Sequence, residues 1–339
     1  MKAAYIQQTG PPECITYGEL PIPELQDEQC LVRVTAAALN PIDTYIRAGA
    51  NYWELPQPFV LGCDLAGIVE QVGPEATRYQ VGDRVWATNQ GLVGRQGTFA
   101  EFAAVDQRWL FPIPESVTDQ AAAANALVGV TAHFGLFREA QLQTGQSIFV
   151  RGGTGGVGSM VVQMAKAAGA RVITSGGSKE KVARCLELGA DTAFDYHKIA
   201  TRDAVADFAP DGVHIFWETL REPDFDEIVE CLAEKGRAIL MAGREARPPF
   251  PVGPFYVKGC SLHGFVMFRA TPDEFQAAAD DMNRWMQQGA LNANIGQVFP
   301  LSQAAAAHRL QEEKTLEQKG TLAGKILVVP DGQSTSVCQ

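Results

Sequence analysis

Two periodicities divide the chain. From residue 1 to about residue 125, short apolar runs such as Leu31-Val32-Arg33-Val34, Ala66–Val72 and Arg84-Val85-Trp86 alternate with Gly, Pro and Asp turns. Pro-rich loops (Pro21-Ile22-Pro23, Pro56-Gln57-Pro58, Pro112-Ile113-Pro114) punctuate them. That spacing predicts a compact, mainly β, barrel-like domain. Ala121–Phe137 then reads as a bridging helix with Leu127, Val130 and Phe134 on one face. From Ser147 onward strand and helix alternate, the signature of a doubly wound parallel (Rossmann) sheet in an α/β protein.

Strands are predicted at Ser147–Val150, Arg171–Thr174, Val213–Trp217, Arg237–Met241 and Ser261–Phe268. Helices follow Gly158, span Val182 to Leu186 before Gly189, and run from Asp273 to Gln288. Arg244–Lys258, with four prolines, reads as a long irregular loop of the kind that is usually functional. Val298–Val329 holds one more helix and the strand Lys325–Val329, and returns to the first domain, ahead of a polar tail. The predicted division is therefore 1–125 with 291–339 for the β domain, and 126–290 for the nucleotide domain.

The centre of the second domain is Arg151-Gly-Gly-Thr-Gly-Gly-Val-Gly158. Gly153, Gly155 and Gly158 fit G-x-G-x-x-G, a strand enters and an amphipathic helix leaves, which is the context that motif requires. Gly153 is expected to make the tight turn, Gly155 to admit a pyrophosphate, and Gly158 to let helix and sheet pack closely. Free N–H groups and the helix dipole then face the anion.

A site for NAD expects Asp or Glu about 20 residues beyond the glycines, holding the ribose 2′-hydroxyl. Here Ser175-Gly176-Gly177-Ser178-Lys179-Glu180-Lys181 follows the second strand, and no carboxylate stands at the strand end. With Ser178 as N-cap, Lys179 and Lys181 fall in the first helical turn, where the dipole disfavours cations unless an anion is bound. This favours a 2′-phosphate, and so NADPH over NADH.

Composition narrows the partners. The 339 residues are 46% apolar and 20% charged, with formal net charge −11. A pI of about 5.0 argues against nucleic acid and anionic membranes. No run approaches the ~20 apolar residues of a membrane span, and Met1-Lys2-Ala3-Ala4-Tyr5-Ile6 enters a strand without a signal-peptide core, so the cytoplasm is expected. The seven cysteines contain no C-x-x-C pair and read as free thiols. The five histidines form no motif.

These residues resemble the medium-chain dehydrogenase/reductase superfamily, and within it the quinone oxidoreductases of the ζ-crystallin type. The resemblance covers nearly the whole chain. Its landmarks are Asn40-Pro41-Ile42-Asp43-Thr44-Tyr45-Ile46-Arg47-Ala48-Gly49, Gly62-Cys63-Asp64-Leu65-Ala66-Gly67, Val81-Gly82-Asp83-Arg84-Val85, Gly97-Thr98-Phe99-Ala100-Glu101-Phe102 and the glycine loop. It implies a GroES-like fold for the β domain. In the zinc alcohol dehydrogenases of the superfamily, Cys, His and Cys stand where Asn40, Cys63 and Leu127 stand here, and the lobe for a structural zinc is absent. No metal is therefore expected.

Hydride donation to an electron-poor acceptor, a quinone or an enone, is the chemistry left, and it needs positioning more than acid catalysis. The resemblance implies that Asn40 and Tyr45 flank the nicotinamide and substrate, with Tyr52 in the same pocket. Tyr45 is a candidate hydrogen-bond donor to the acceptor carbonyl, though a core aromatic role fits its sequence equally well. It also implies that Thr154, Gly155, Gly156 and Val157 take the pyrophosphate. Gly177, Ser178, Lys181 and Tyr196 then surround the adenosine phosphate, while Gly243, Arg244, Val266, Met267 and Phe268 meet the nicotinamide amide.

An NADPH-dependent quinone reductase is the leading expectation. A reductase of α,β-unsaturated ketones, aldehydes or acyl thioesters is the second, and a non-catalytic NADPH-binding structural protein the third. A methyltransferase, which would want the missing acidic residue, ranks last. The strand Ser261–Phe268 is expected at a sheet edge and, as the resemblance also implies, in a homodimer interface.

Overall fold

The computed structural model describes residues 1–50, 53–315, 324–334 and 336. In chain order the first stretch comprises β1 (Lys2–Ile6), β2 (Thr16–Glu19), β3 (Gln29–Leu39), α1 (Pro41–Arg47), β4 (Phe59–Val60), β5 (Asp64–Val72), β6 (Arg84–Ala87), β7 (Phe102–Asp106), β8 (Leu110–Pro112) and α2 (Asp119–His133). The alternating stretch comprises β9 (Ser147–Val150), α3 (Gly156–Ala167), β10 (Arg171–Gly176), α4 (Lys179–Glu187), β11 (Thr192–Asp195), α5 (Thr201–Phe208), β12 (Val213–Glu218), α6 (Phe225–Cys231), β13 (Leu232–Leu240), α7 (Val252–Val257) and β14 (Ser261–Gly264). It closes with α8 (Pro272–Gln287), β15 (Ile295–Pro300), α9 (Ala304–Thr315) and β16 (Lys325–Val329).

Two compact units result, Met1–Leu127 with Ala270–Gln287 and Asn292–Gln339, and Val128–Arg269 with Gln288–Leu291. In the first, a sheet runs β15-β16-β3-β5-β6-β8, with β7 also on β3, beside the small sheet β2-β1-β4. The long strand β3 is its spine. Its residues from Cys30 to Leu39 are buried at all but two positions, so both faces are covered. β16 pairs antiparallel with the end of β3, Ile326 opposite Leu39 and Val328 opposite Ala37.

In the second unit six strands run β11-β10-β9-β12-β13-β14, every neighbouring pair parallel. Numbered within the unit this is 3-2-1-4-5-6, the dinucleotide-binding order, with the switch of direction between β9 and β12. Phe149, Ile173, Phe194, Val213, Phe216 and Ile228 fill its core. All four residues of β9 are buried, as the apolar run Ser147–Val150 requires of a central parallel strand.

Four local differences from the sequence reading have clear causes. The helix α8 belongs to the first unit, not the nucleotide domain, because its buried face packs there: Phe275 meets Trp109 edge-on at 5.2 Å, and Asn283 Oδ1 accepts from Trp86 Nε1 at 3.0 Å. The last parallel strand stops at Gly264, whose partner Leu240 ends β13, so Val266-Met267-Phe268 lies in a turn rather than a strand. The proline-rich Arg244–Lys258 segment is not wholly irregular, since α7 forms within it. Pro251 and Pro254 sit at the cap and in the first turn, where the missing N–H groups have no helical acceptor anyway. The bridging helix α2 loosens after His133, where Ala140 N–H bonds Gly135 O, five residues back, at 2.9 Å. Gly135 is obligatory there, because a Cβ would stand 2.2 Å from the buried Trp217 ring.

Among the described residues no helix is long and apolar enough to cross a membrane.

Candidate active site

In an all-parallel sheet the carboxyl ends of the strands share one edge, and ligands bind there at the switch of direction. The second unit brings most of the sequence-chosen cofactor residues to that edge. The glycine loop leaves β9. Gly177 and Ser178 follow β10, Tyr196 follows β11, Gly243 and Arg244 follow β13, and Val266, Met267 and Phe268 follow β14.

Within the glycine loop the structure redistributes the roles. The left-handed turn falls at Gly152, with φ of 73°, rather than at Gly153. Gly153 is required for closeness instead: a Cβ would lie 2.3 Å from Thr174 Oγ1 and 3.0 Å from Cys185 Sγ. At Gly158 a Cβ would lie 2.3 Å from the Gly152 carbonyl oxygen, so the helix start folds back on the loop. Gly155 is the N-cap of α3 and supplies no side chain to it. A Cβ on Gly155 would touch only the Gly152 oxygen, at 3.3 Å, which leaves the start of α3 open for an anion.

Arg151, to which the sequence reading gave no role, ties this loop to β12. Its backbone N–H bonds Trp217 O at 3.0 Å, Nε donates to Glu218 Oε2 at 2.9 Å, and Nη2 donates to Glu227. Glu218 is 1% exposed, and burial raises its carboxyl pKa while Arg151 opposes the rise. Nothing in a lone Arg before glycines announces this. A carboxylate at the end of an otherwise apolar strand, Glu218, was the available signal.

At the end of β10, Ser178 caps α4 by accepting from Lys181 N–H at 3.3 Å. Lys181 is half-buried and Lys179 exposed. Glu180, fully exposed in the same turn, has its pKa lowered by its own backbone N–H and by the Ser178 hydroxyl. Tyr196 N–H bonds Gly176 O at 3.2 Å, which sets the tyrosine beside Gly177. Gly243, with φ of 76°, is needed because a Cβ would lie 2.1 Å from Arg221 O. Arg244 is exposed and Met267 is buried.

The first unit holds the other candidates. Asn40 is the N-cap of α1 and is fully buried. Its backbone N–H bonds Asp43 Oδ2 at 2.7 Å, and its Nδ2 donates to Asp64 Oδ2 at 2.8 Å and to Ala38 O at 3.3 Å. Its Oδ1 accepts from Lys325 Nζ, which also donates to Leu39 O at 2.8 Å. Burial holds Asp43 up at about 7, partly offset by a hydrogen bond from the Cys63 thiol. Burial also raises Asp64, with Lys325 opposing, and depresses Lys325, with Asp64 and Asp43 opposing. Asp43, Asp64 and Lys325 were quoted in motifs but not chosen as site residues. Their signal was charge set inside otherwise apolar runs.

Tyr45 lies half-buried on α1, five positions after the cap. Tyr52 lies outside the described residues.

The donor set at Asn40, Cys63 and Leu127 does not fit zinc. Leu127 has no ligating atom, the Asn40 oxygen already accepts from an ammonium, and burial drives the Cys63 thiol well away from its thiolate. Among the described residues, no group of three or more His, Cys, Asp or Glu could hold a metal ion.

A nucleotide-binding sheet with a glycine loop at its switch of direction, joined to a GroES-like β unit, defines a two-domain oxidoreductase. Residues 26–115 match the alcohol dehydrogenase GroES-like domain, and residues 156–284 match the family described as zinc-binding dehydrogenase. The chain is 30% identical over 333 residues to a quinone oxidoreductase of Sus scrofa, covering 97% of this chain and 98% of that protein. It is 35% identical to an NADPH-dependent alkenal/one oxidoreductase of Arabidopsis thaliana, over 68% of this chain and 59% of that protein. The solved structure of a mycobacterial protein complexed with NADPH is 29% identical, with a TM-score of 0.83, covering 97% of this chain and all of that one. The chain belongs to the medium-chain dehydrogenase/reductase family and is similar to its quinone oxidoreductases.

Proposed function

We propose that this oxidoreductase takes NADPH and reduces a quinone. The observation that carries the choice of cofactor is the end of β10, where Gly177, Ser178, Lys181 and Tyr196 gather with no carboxylate at the strand terminus. A 2′-phosphate there would meet Lys181, the Ser178 hydroxyl and Tyr196. A carboxylate, which would repel it, is missing where an NAD site needs one. The fit extends to the glycine loop, whose open N-cap leaves N–H groups of α3 for the pyrophosphate.

NADPH supplies a hydride. With one proton from solvent, that hydride turns a quinone into a hydroquinone. The chain binds and orients. The start of α3 would hold the diphosphate, and Gly243, Arg244 and Val266–Phe268, which follow β13 and β14, would hold the nicotinamide. Tyr45 is the proposed donor to the acceptor carbonyl as it gains negative charge. Asn40, with both ends of its amide used inside the unit, frames α1. Tyr52 completes the proposed set.

Reduction of an activated alkene is the second reading, favoured by the name of the Arabidopsis relative. We also propose a homodimer, in which β14 pairs with its copy. β14 is the edge strand of its sheet, and Leu262 on it is 39% exposed, alongside Val252, Tyr256 and Val257 of α7 at 63, 70 and 74%.

Steady-state oxidation of NADPH with a panel of quinones and enones tests the function. Turnover with quinones supports the leading reading, and turnover with enones alone supports the second. Tight NADPH binding without turnover on any acceptor would leave a cofactor-holding protein.

A further inference from the structure

A lysine in the middle of a β unit needs a reason. Lys325 stands at the start of β16, buried, where the strand otherwise reads Ile326-Leu327-Val328-Val329. Burying an ammonium is costly, and an apolar side chain of similar length often serves stability as well or better. Its two acceptors are informative. Leu39 O is the last residue of β3, and Asn40 Oδ1 belongs to the cap of α1, so both bonds grip one junction.

The chemistry of the donors then leaves the Asn40 carboxamide one orientation. An ammonium only donates, so it must meet the amide oxygen. The amide nitrogen is left to donate to Asp64 Oδ2. Asn40 is thus held at both ends, by Lys325 and by Asp64 at 2.8 Å, while its backbone N–H is held by Asp43 at 2.7 Å. The helix that begins here has seven residues, too short to hold its own geometry, and its placement comes from its ends. Tyr45 rides on it.

We propose that Lys325 is a positioning residue of the reductase, fixing the Asn40 carboxamide and through it the helix that presents Tyr45 to the acceptor. Lys325 touches no reacting atom. It acts 285 positions away in sequence and one hydrogen bond away in space. The proposal rests on the reading of Tyr45 as the acceptor's hydrogen-bond donor.

The test compares wild type with K325M, K325Q, N40A and the double variant K325M/N40A, each checked for fold by circular dichroism. K325M keeps the length of the side chain and loses every donor. K325Q keeps two N–H donors and loses the charge. Expected is a fall in quinone-reducing kcat on the order of 100-fold for K325M, the cost of misplacing a group by about 1 Å. The Kd for NADPH stays within about two-fold, since a displaced α1 acts on the acceptor. K325Q recovers most of kcat, and K325M/N40A is no slower than N40A, because the two residues act in series.

A folded K325M with wild-type kcat overturns the proposal. So do losses that multiply in the double variant. Where K325M fails to fold, K325Q with N40A carries the same comparison, and a K325Q as slow as N40A counts against the hydrogen bond. The side-chain amide resonances of Asn40 give a readout independent of turnover. They should be protected from solvent exchange in wild type and in K325Q and lose protection in K325M; unchanged protection in K325M is a negative result. A wild-type protein that turns over no acceptor sinks the reductase reading, while the Asn40 resonances still decide whether Lys325 holds the carboxamide.

Discussion

Tyr196 places its hydroxyl so close over Gly177 that a Cβ there would lie 2.4 Å from it. The contact follows from the sheet. β10 and β11 are parallel neighbours with Gly176 opposite Asp195, so the residues that follow each strand emerge side by side. Tyr196 is half exposed, and Lys181 on α4 is half-buried.

Lys181→Glu should weaken NADPH binding by about 1–3 kcal/mol, the worth of a charge-assisted hydrogen bond, and leave NADH binding nearly unchanged. Calorimetric titration of both cofactors against both proteins measures it. Equal affinity of the parent protein for NADPH and NADH would remove the basis of the cofactor assignment.

The glycines of the loop should separate by role. Gly153→Ala presses a methyl into Thr174 Oγ1 and Cys185 Sγ in the packed interior, and is expected to cost about 1–3 kcal/mol of stability by overpacking. Gly155→Ala meets only one atom, at 3.3 Å, and should fold with nearly the parental Tm yet bind cofactor more weakly. Thermal melts with and without NADPH distinguish the two. Similar melts and similar affinities for both variants would contradict the division of labour.

His308 on α9 is a liability in acid. It is fully buried, neither ring nitrogen has a hydrogen-bond partner among the described residues, and burial, with Arg47 adding to it, pushes its pKa down from 6.5 to about 3. The unfolded chain therefore takes up a proton between pH 6.5 and about 3 that the folded chain refuses. Stability contributed by neutral His308 is whole above pH 6.5 and is lost as pH falls through that window. At roughly pH 5 the loss is about 2 kcal/mol. His308→Met should remove it, so urea midpoints of parent and variant should diverge as pH is lowered from about 7 to about 5. Parallel midpoints across that range would refute the assignment.

The proposed dimer predicts a mass near twice 36.6 kDa by light scattering at micromolar concentration. Leu262→Lys, placing a charge on the exposed edge of β14, should shift the protein toward monomer. A monomeric parent protein would rule this interface out.

Much of the fold was legible because periodicity reports burial. Ser147–Val150 had to be a central strand, and G-x-G-x-x-G between strand and helix had to be a turn at its end. Helix α8 was assigned to the wrong unit because amphipathicity shows that a face is buried, not against what. The strand ending at Gly264 was overextended because Val266 and Phe268 are apolar, and apolarity cannot show that the neighbouring strand β13 stops at Leu240. The buried polar cluster was half visible. Asn40 was singled out as a site residue, but Asp64 and Lys325 meet it only through pairings of β3 with β5 and with β16, which no local pattern records.

The place of β16 also governs the order in which the chain can assemble. The second unit is built almost wholly from the unbroken stretch Val128–Arg269, so a ribosome delivers it in one piece. The first unit is interrupted. Ala37–Leu39 pairs with Ile326–Val328, and the edge of β3 must wait for a strand made after the entire second unit. The nucleotide-binding unit is therefore expected to fold first during synthesis, while the β unit that carries Asn40 closes last.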